Sequence, residues 1–269
     1  MLLTRLALGL CCSALIGGFA LRRGSLSKSG AVAALGIGTS IYVGGGGGWF
    51  SALVTFFVTS TLLAKVGKAR KATIKLEFEK GDTRDALQAL SNGGAAALCA
   101  LGMALQPHPA FAAGFVAALA TANGDTWATE LGVLSRAEPI SLLQLRRVPR
   151  GTSGAVSPLG LLATFLGGAV IGGVAALNAQ AFGVSVAWLV GLGSLGGVLG
   201  SLVDSVLGAS LQSGFHCDTC ARDAEGSTHR CGRPTRHVRG FRWFNNDVVN
   251  LAATSIAALV AGITVWSCT

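Results

Sequence analysis

The chain is built from long apolar runs joined by short polar segments, and this pattern restricts it to a membrane-protein fold. Hydrophobic residues make up 51% of the 269 residues and charged residues only 12%, whereas soluble domains carry roughly 25% charged residues. A helix of about 20 apolar residues can cross the hydrocarbon core of a bilayer. The sequence therefore predicts an all-α, polytopic integral membrane protein with a single membrane domain over residues 1–269. About eight spans are predicted, at residues 2–20, 30–43, 49–64, 86–105, 109–123, 159–177, 184–211 and 247–267.

Lys and Arg residues are concentrated in every second connecting segment. Of the 21 basic residues, 20 fall in four such segments, and the segments between them are short and nearly uncharged. Because basic loops remain on the cytoplasmic side, the pattern predicts that both termini are non-cytoplasmic. The four predicted cytoplasmic loops are about 21–30, 65–85, 124–157 and 212–246, the last being rich in Cys and His.

The net charge of +9 requires no nucleic-acid partner, since topology and attraction to anionic headgroups account for it. The expected partners include membrane lipids, and a multi-pass protein of this kind would lie in the plasma membrane of a prokaryote. Residues 1–20 are interpreted as a span rather than a cleaved signal peptide, because Arg22 and Arg23 follow directly.

Polar side chains recur at helical spacing where four predicted spans meet the cytoplasmic side. Residues three or four apart lie on one helix face, and lipid cannot satisfy their hydrogen bonds. Hydrogen bonding between helices would explain one or two of them. A carboxylate such as Asp204 costs roughly 2.5–3.5 kcal/mol on insertion scales, which favours a shared functional cavity. The four stripes are Arg84, Gln88 and Asn92; Asn123, Thr126 and Glu130; Ser201, Asp204, Ser205, Gly208 and Gln212; and Asn246, Asn250 and Thr254.

Three acidic residues are the predicted catalytic metal ligands. Asp125, Glu130 and Asp204 offer the hard oxygen atoms that suit Mg²⁺, which usually takes one or two carboxylates together with substrate phosphates. On an ideal helix, Asp125 lies away from the face shared by Thr126 and Glu130. Either Gly124 lets the backbone unwind there, or the two carboxylates serve different partners.

A Gly-rich turn precedes the sixth predicted span and has the features of an anion site. Ser157 and Pro158 suit the N-cap and first position of that helix, whose N-terminus carries free N–H groups and a positive dipole. Arg147 and Arg150 are predicted catalytic residues that would add charge for clamping phosphate oxygens. The predicted phosphate-binding turn consists of Gly151, Thr152, Ser153 and Gly154.

The last predicted cytoplasmic loop contains a candidate structural zinc site. Cys217 and Cys220 have the spacing of a zinc knuckle, and His229, Cys231 and His237 are the ligand candidates that follow. The second pair is irregularly spaced, so reduced, unliganded thiols are the alternative. Disulfides are disfavoured in the cytoplasm.

Five motifs together resemble those of a membrane family once described as domain of unknown function 92, which includes animal transmembrane protein 19 and plant phytyl-phosphate kinase. The resemblance covers most of the chain, and the motifs are specific for the family rather than for a substrate. They are RDALQALSNG at 84–93, NGDTWATELG at 123–132, VPRGTSGAVSPLG at 148–160, GSLVDSVLGASLQ at 200–212 and NNDVVN at 245–250.

The resemblance implies a phosphotransferase. The implied reaction is Mg-dependent transfer of a phosphoryl group from a nucleoside triphosphate, with CTP favoured, to a phytyl- or polyprenyl-type monophosphate. Asp247 matches only part of the family, and the Cys-rich loop is not general to it, so any zinc would be structural. The residues that match the family are Asn123, Asp125, Thr126, Glu130, Gly151, Thr152, Gly154, Asp204, Ser205, Gln212, Asn246 and Asn250.

The residue patterns and the resemblance together define the predicted site. Its substrate is expected at the cytoplasmic face, where an isoprenyl tail can enter the bilayer while the phosphates meet the polar stripes. The predicted substrate- or phosphate-binding residues are Arg84, Gln88, Asn92, Asn123, Thr126, Gly151, Thr152, Ser153, Gly154, Ser205, Gln212, Asn246 and Asn250.

A transporter or flippase for a phosphorylated lipid is the competing class. Transporter sites usually lie near the membrane midplane between related halves, whereas these polar groups gather at one end of the spans. A scaffold protein is a third hypothesis, but it does not explain why the carboxylate of Asp204 lies within a predicted span.

Overall fold

Long helices dominate the structure, a computed structural model that describes residues 2–66, 83–149, 152–224, 226–229 and 231–268. Among these residues, five helices are long and apolar enough to cross a membrane: α1, α2, α5, α7 and α8. In chain order the elements are α1 (Leu2–Arg22), α2 (Lys28–Leu63), α3 (Ala86–Leu105), α4 (Pro109–Gly132), β1 (Ile140–Ser141), β2 (Ala155–Val156), α5 (Pro158–Leu177), α6 (Ala179–Phe182), α7 (Val186–Ser210), β3 (Gly214–Cys217), β4 (Arg222–Ala224), β5 (Arg236–Arg239) and α8 (Asn246–Trp266).

The segment α2 is a helical hairpin of two arms, and the chain reverses direction at the glycine run of residues 44–48. Gly46 has φ 67° and ψ −158°, and glycine adopts such a positive φ without steric cost. A Cβ on Gly38 would lie 3.2 Å from the Phe50 ring, and the ring centroids of Tyr42 and Phe50 are 5.5 Å apart. In a straight helix, residues as far apart as 38 and 50 would be separated by about 18 Å. The two arms therefore fold back on each other at the predicted connection between the second and third spans.

Helix α4 forms the centre of the bundle. Every residue from Ala112 to Gly124 is buried, and α4 packs against α2, α3, α5, α7 and α8. Its small residues allow close approach: a Cβ on Gly114 would lie 3.0 Å from the Ala258 carbonyl oxygen. Because this helix is surrounded by protein, polar groups near its end meet other helices rather than lipid.

Aromatic rings fill the end of the bundle where α4 begins. The Trp49 ring centroid lies 4.4 Å from that of Phe115 and 5.2 Å from that of Phe182. The Trp49 indole N–H donates to the Ala181 carbonyl at 3.0 Å. This end of the bundle is apolar and closely packed, whereas the predicted polar side chains lie at the opposite end.

Short strands make the all-α prediction incomplete. β3 pairs antiparallel with both neighbours in the order β4-β3-β5, with Phe215 opposite Ala224 on one side and His237 on the other. This sheet occupies the predicted loop 212–246. A second pair, β1 and β2, joins Ile140 to Val156.

Helix α4 continues to Gly132, past residue 124, where the predicted cytoplasmic loop 124–157 begins. Most of the predicted loop 65–85 lies outside the described residues. The number of membrane crossings and the side on which the termini lie stay predictions.

Candidate active site

A polar cavity of about 400 Å³ lies where the end of α4 emerges from the core. Its walls come from the facing ends of α3, α4, α5, α7 and α8 and from residues 152–157. The stripes on four predicted spans therefore do converge. The predicted site residues that line the cavity are Arg84, Gln88, Asn92, Asp125, Thr126, Glu130, Thr152, Ser153, Gly154, Asp204, Ser205, Gln212, Asn246 and Asn250.

The end of α4 presents polar side chains to more than one side of this cavity. The helix stays continuous here, so Gly124 does not unwind it. A Cβ on Gly124 would lie 2.9 Å from the Thr164 carbonyl oxygen, which places that face against α5. Glu130 instead interacts electrostatically with Arg84, beside α3. Asp125 and Glu130 thus lie in different parts of one cavity.

Four carboxylates line the cavity, and two of them repel each other. The Oδ2 atom of Asp204 is buried and has no hydrogen-bond partner among the described residues, and Asp204 interacts electrostatically with Asp125. Glu130 and Asp247 are the other two acids, while Arg84 is the only arginine among the described lining residues. An acidic set of this kind repels phosphate unless cations neutralise it. Its oxygen donors fit Mg²⁺.

Arg84 is held at the edge of the cavity by its own backbone. Its N–H donates to the Ser25 carbonyl at 3.1 Å, and its carbonyl accepts from the Ser27 N–H at 2.9 Å. The guanidinium lies 5.8 Å from the Phe56 ring centroid. Burial lowers the pKa of Arg84, and Glu130 opposes this shift. An arginine stays protonated in proteins, so this side chain brings a fixed positive charge to an acidic cavity.

The described part of the Gly-rich turn packs against the end of α7. The Ser153 hydroxyl donates to Gln212 Oε1 at 2.6 Å. Gly154 has φ +75°, and a Cβ there would overlap Ala209, so glycine is required for this approach. Ser157 caps α5 as predicted, accepting a backbone N–H at 3.1 Å. The turn thereby places hydroxyl and backbone groups on the cavity wall.

Two polar residues of the predicted stripes instead join helices together. The Asn123 amide is fully buried, donating to the Gly167 carbonyl at 2.7 Å and accepting from the Thr59 hydroxyl at 3.1 Å. The Thr254 hydroxyl lies 3.1 Å from the Ser91 carbonyl oxygen. The structure does not place Asn123 on the cavity wall, although helical spacing groups it with Thr126 and Glu130.

Of the two predicted catalytic arginines, the structure describes Arg147 alone. Arg147 is exposed beside the two-stranded pair and does not line the cavity. Arg150 and Gly151, both predicted site residues, lie outside the described residues.

Several cavity residues were absent from the predicted site, among them three that carry hydroxyl groups. Thr129, Thr164 and Ser201 all line the wall, and the hydroxyls of Thr164 and Ser201 lie 3.5 Å apart. Ser201 already belongs to a predicted stripe. Thr164 follows Ser157 and Gly160 at helical spacing, a signal that could have revealed a fifth stripe on α5.

An apolar pocket of about 100 Å³ adjoins the polar cavity. It lies among α1, both arms of α2 and α3, with Ile37 and Phe57 in its lining. The sequence did not reveal it, because apolar lining residues look the same as residues that pack or face lipid. Four polar residues line both spaces and form a shared wall: Arg84, Gln88, Asn92 and Thr126.

The predicted zinc ligands meet away from the cavity. The ligand atoms of Cys217, Cys220, His229 and Cys231 all lie within 4.8 Å of one another. Hydrogen bonds from His229 and a backbone N–H lower the pKa of Cys231 to about 6, whereas a hydrogen bond with Cys231 raises that of Cys220 to about 11. His237 is not part of this group, since its ring packs against Phe215 at 5.3 Å.

The fold and the site define an integral membrane protein with an acidic cavity at one end of its helix bundle. The chain belongs to the family described as integral membrane protein DUF92, whose model matches residues 11–258. This match includes every described residue of the polar cavity.

Similar proteins extend over nearly the whole chain. Protein PGR of Arabidopsis thaliana is 30% identical over 96% of this chain and 96% of that protein. An uncharacterized membrane protein of Synechocystis sp. is 30% identical over 80% of this chain and 73% of that protein. Protein VTE6, chloroplastic, of Arabidopsis thaliana is 28% identical over 88% and 64%, respectively. No solved structure matches the chain significantly.

Proposed function

We propose that this protein is a membrane-embedded isoprenyl-phosphate kinase. It would transfer the terminal phosphoryl group of a nucleoside triphosphate, with CTP as the favoured donor, to a phytyl- or polyprenyl-type monophosphate. The bond from the terminal phosphorus to the bridging oxygen breaks, a bond to an acceptor phosphate oxygen forms, and a nucleoside diphosphate leaves. The observation that supports this most strongly is the acidic cavity joined to an apolar pocket.

The shared wall between the two spaces suits an amphiphilic acceptor. The apolar pocket offers Ile37 and Phe57 to a hydrocarbon tail, and burial of each methylene contributes roughly 0.8 kcal/mol. Arg84 stands where the pocket meets the cavity, so its guanidinium can bind the phosphate at the head of such a tail. A soluble acceptor would have no hydrocarbon tail to occupy the apolar pocket.

The carboxylates suit the donor side of the reaction. Asp125 and Asp204 would hold Mg²⁺ together, and Glu130 would add an oxygen donor from the part of the cavity beside Arg84. The Mg²⁺ would neutralise charge on the transferring phosphate oxygens. Ser153 and Gly154 line the same cavity on the Gly-rich turn, where hydroxyl and backbone groups can bind donor phosphates. The acceptor monophosphate is largely ionised near neutral pH, so the reaction needs no strong general base.

The first test is phosphoryl transfer by the purified full chain in lipid nanodiscs. With Mg²⁺, labelled CTP or ATP and phytyl monophosphate, we expect labelled phytyl diphosphate. Omission of Mg²⁺ should abolish the product. Absence of diphosphate with both donors and several prenyl chain lengths would refute the kinase. Nucleotide-independent movement of the phosphorylated lipid across proteoliposomes would instead support the flippase alternative.

A matched pair of variants tests the apolar pocket. Val54 lines the pocket, whereas Val58, one turn later on the same arm of α2, is 43% exposed and does not line it. Val54→Phe should raise KM for a phytyl or longer acceptor roughly tenfold, a loss of about 1.4 kcal/mol of binding, while KM for CTP stays unchanged. Val58→Phe should alter neither constant. Equal effects of the two variants would remove the tail assignment.

A further inference from the structure

A group of cysteine and histidine side chains lies at the three-stranded sheet, outside the polar cavity. Two tight turns supply its members. Cys217 ends β3 and Cys220 lies in the turn that leads into β4. His229 and Cys231 lie in a second turn, closed by the His229 N–H bonding to the Arg233 carbonyl at 2.9 Å. Each turn therefore contributes two ligand atoms to one point.

The turns adopt backbone conformations that need support. Ala221, directly after Cys220, has φ 50°, and Gly232, directly after Cys231, has φ 78°. Glycine accepts this conformation readily, but alanine keeps it only when surrounding contacts hold it. A metal bond through Cys220, the residue directly before Ala221, would provide such support.

The distances match a metal site and not a disulfide. The Sγ atoms of Cys217 and Cys231 are 3.8 Å apart, whereas a disulfide requires about 2.05 Å. Zinc–sulfur bonds of about 2.3 Å in a tetrahedron place two sulfur ligands about 3.8 Å apart. The Nδ1 atom of His229 lies 3.1 Å from the Cys231 Sγ, so it belongs to the same small cluster.

We propose that Cys217, Cys220, His229 and Cys231 bind one structural zinc ion. Three thiolates and one imidazole form a closed four-ligand set, which leaves no open position for substrate and is typical of structural zinc. This proposal does not rest on the proposed kinase activity.

The sheet that carries this site is anchored at the edge of the polar cavity. The Arg239 guanidinium donates to the Gly208 carbonyl at 3.1 Å at the end of α7. The Phe241 N–H donates to the Leu211 carbonyl at 3.0 Å, next to Gln212 of the cavity wall. Zinc would therefore stabilise the segment that follows Gln212 without touching the reacting groups.

Zinc content and thiol reactivity of the detergent-purified full chain test the site. We expect about one zinc per chain in protein purified without chelators, and replacement of zinc by Co²⁺ should give the absorption of tetrahedral cobalt thiolate. Cys217→Ser and Cys231→Ser should lose the metal, while Cys268→Ser, which changes an exposed cysteine outside the cluster, should keep it. Wild-type protein that holds neither metal would overturn the proposal.

Alkylation of the wild-type chain gives an answer even if the serine variants fail to fold. Cys220, Cys231 and Cys268 are all exposed, so all three should react with N-ethylmaleimide if none binds metal. With zinc bound, mass spectrometry should find Cys268 modified and the two cluster cysteines protected until a chelator is added. If chelation left the alkylation rates of Cys220 and Cys231 unchanged, the site would be overturned.

Discussion

The polar cavity and the cysteine cluster both gather metal-ligand side chains, but the chain assembles them in opposite ways. The cavity collects residues from Arg84 to Asn250 on the ends of five helices. The cluster draws all four members from residues 217–231 and needs only two turns. The cavity therefore depends on packing of the whole bundle, whereas the cluster depends on the local backbone.

The two groups should therefore respond to different changes. A change in a buried helix contact can displace the cavity walls, while the cluster can be disrupted by removing a single ligand or the proposed zinc. Among the described residues, the sheet is attached to the end of α7 and the segment that follows it, from Gly208 to Ser213, next to Gln212 of the cavity wall. Variants in one region should therefore leave the other region intact unless they act through this segment.

The largest effect is expected from Asp204→Asn. An amide keeps the shape of the side chain but loses the charge that would hold Mg²⁺, so phosphoryl transfer should fall roughly 100-fold or more. Thermal stability in detergent without metal should not fall, because repulsion with Asp125 disappears. Asp223→Asn, an exposed acid on β4, serves as the control and should retain activity. Normal turnover by Asp204→Asn would refute its role as a metal ligand.

A smaller effect on activity is expected when the cluster loses its metal. Chelation of zinc, or Cys231→Ser, should lower phosphoryl transfer roughly tenfold, as for groups that support a site indirectly. The loss should come from a looser Gln212 wall, so Gln212→Ala and Cys231→Ser together should lose little more than either alone. Independent, multiplicative losses would show that the cluster does not act through Gln212.

The buried amide of Asn123 should affect stability rather than chemistry. Asn123→Ala removes two hydrogen bonds between helices, each contributing about 0.6–1.7 kcal/mol in a membrane protein. The melting temperature in detergent should fall while KM of the folded fraction stays unchanged. Asn250→Ala, on the cavity wall, should show the reverse pattern. A raised KM with unchanged melting for Asn123→Ala would return this residue to the substrate site.

The smallest effect is expected from Arg147→Gln. This side chain is exposed and outside the cavity wall, so turnover should change less than about twofold, as exposed ion contacts contribute little. Arg84→Gln, inside the shared wall, is the comparison and should raise KM for the acceptor roughly tenfold or more. If Arg147→Gln matched that loss, the Gly-rich segment would have to approach the substrate.

Helical spacing was a good guide to the cavity and a poor guide to its boundaries. It correctly brought Arg84, Asp204 and Asn250 to one place, because a polar residue inside a span must face other protein or water. It also grouped Asn123 with Glu130, because a shared helix face does not show how deeply each residue is buried among the other helices. The burial of α4 on every side at Asn123 makes this amide a packing residue, whereas Glu130 lies further along the helix, on the cavity wall.

Composition and residue spacing are enough to predict a helical membrane protein, the end of the bundle that carries its polar groups, and five candidate members of the cysteine cluster, from which the structure removes His237. These follow from short-range rules: apolar length, a helical repeat and the spacing of cysteines. Only the packed helices show that an apolar pocket adjoins Arg84 and that Asn123 packs between helices instead of lining the cavity. The physical reason is that these features depend on how closely the helices approach one another. That approach is set by contacts between residues distant in the sequence, including contacts at glycine.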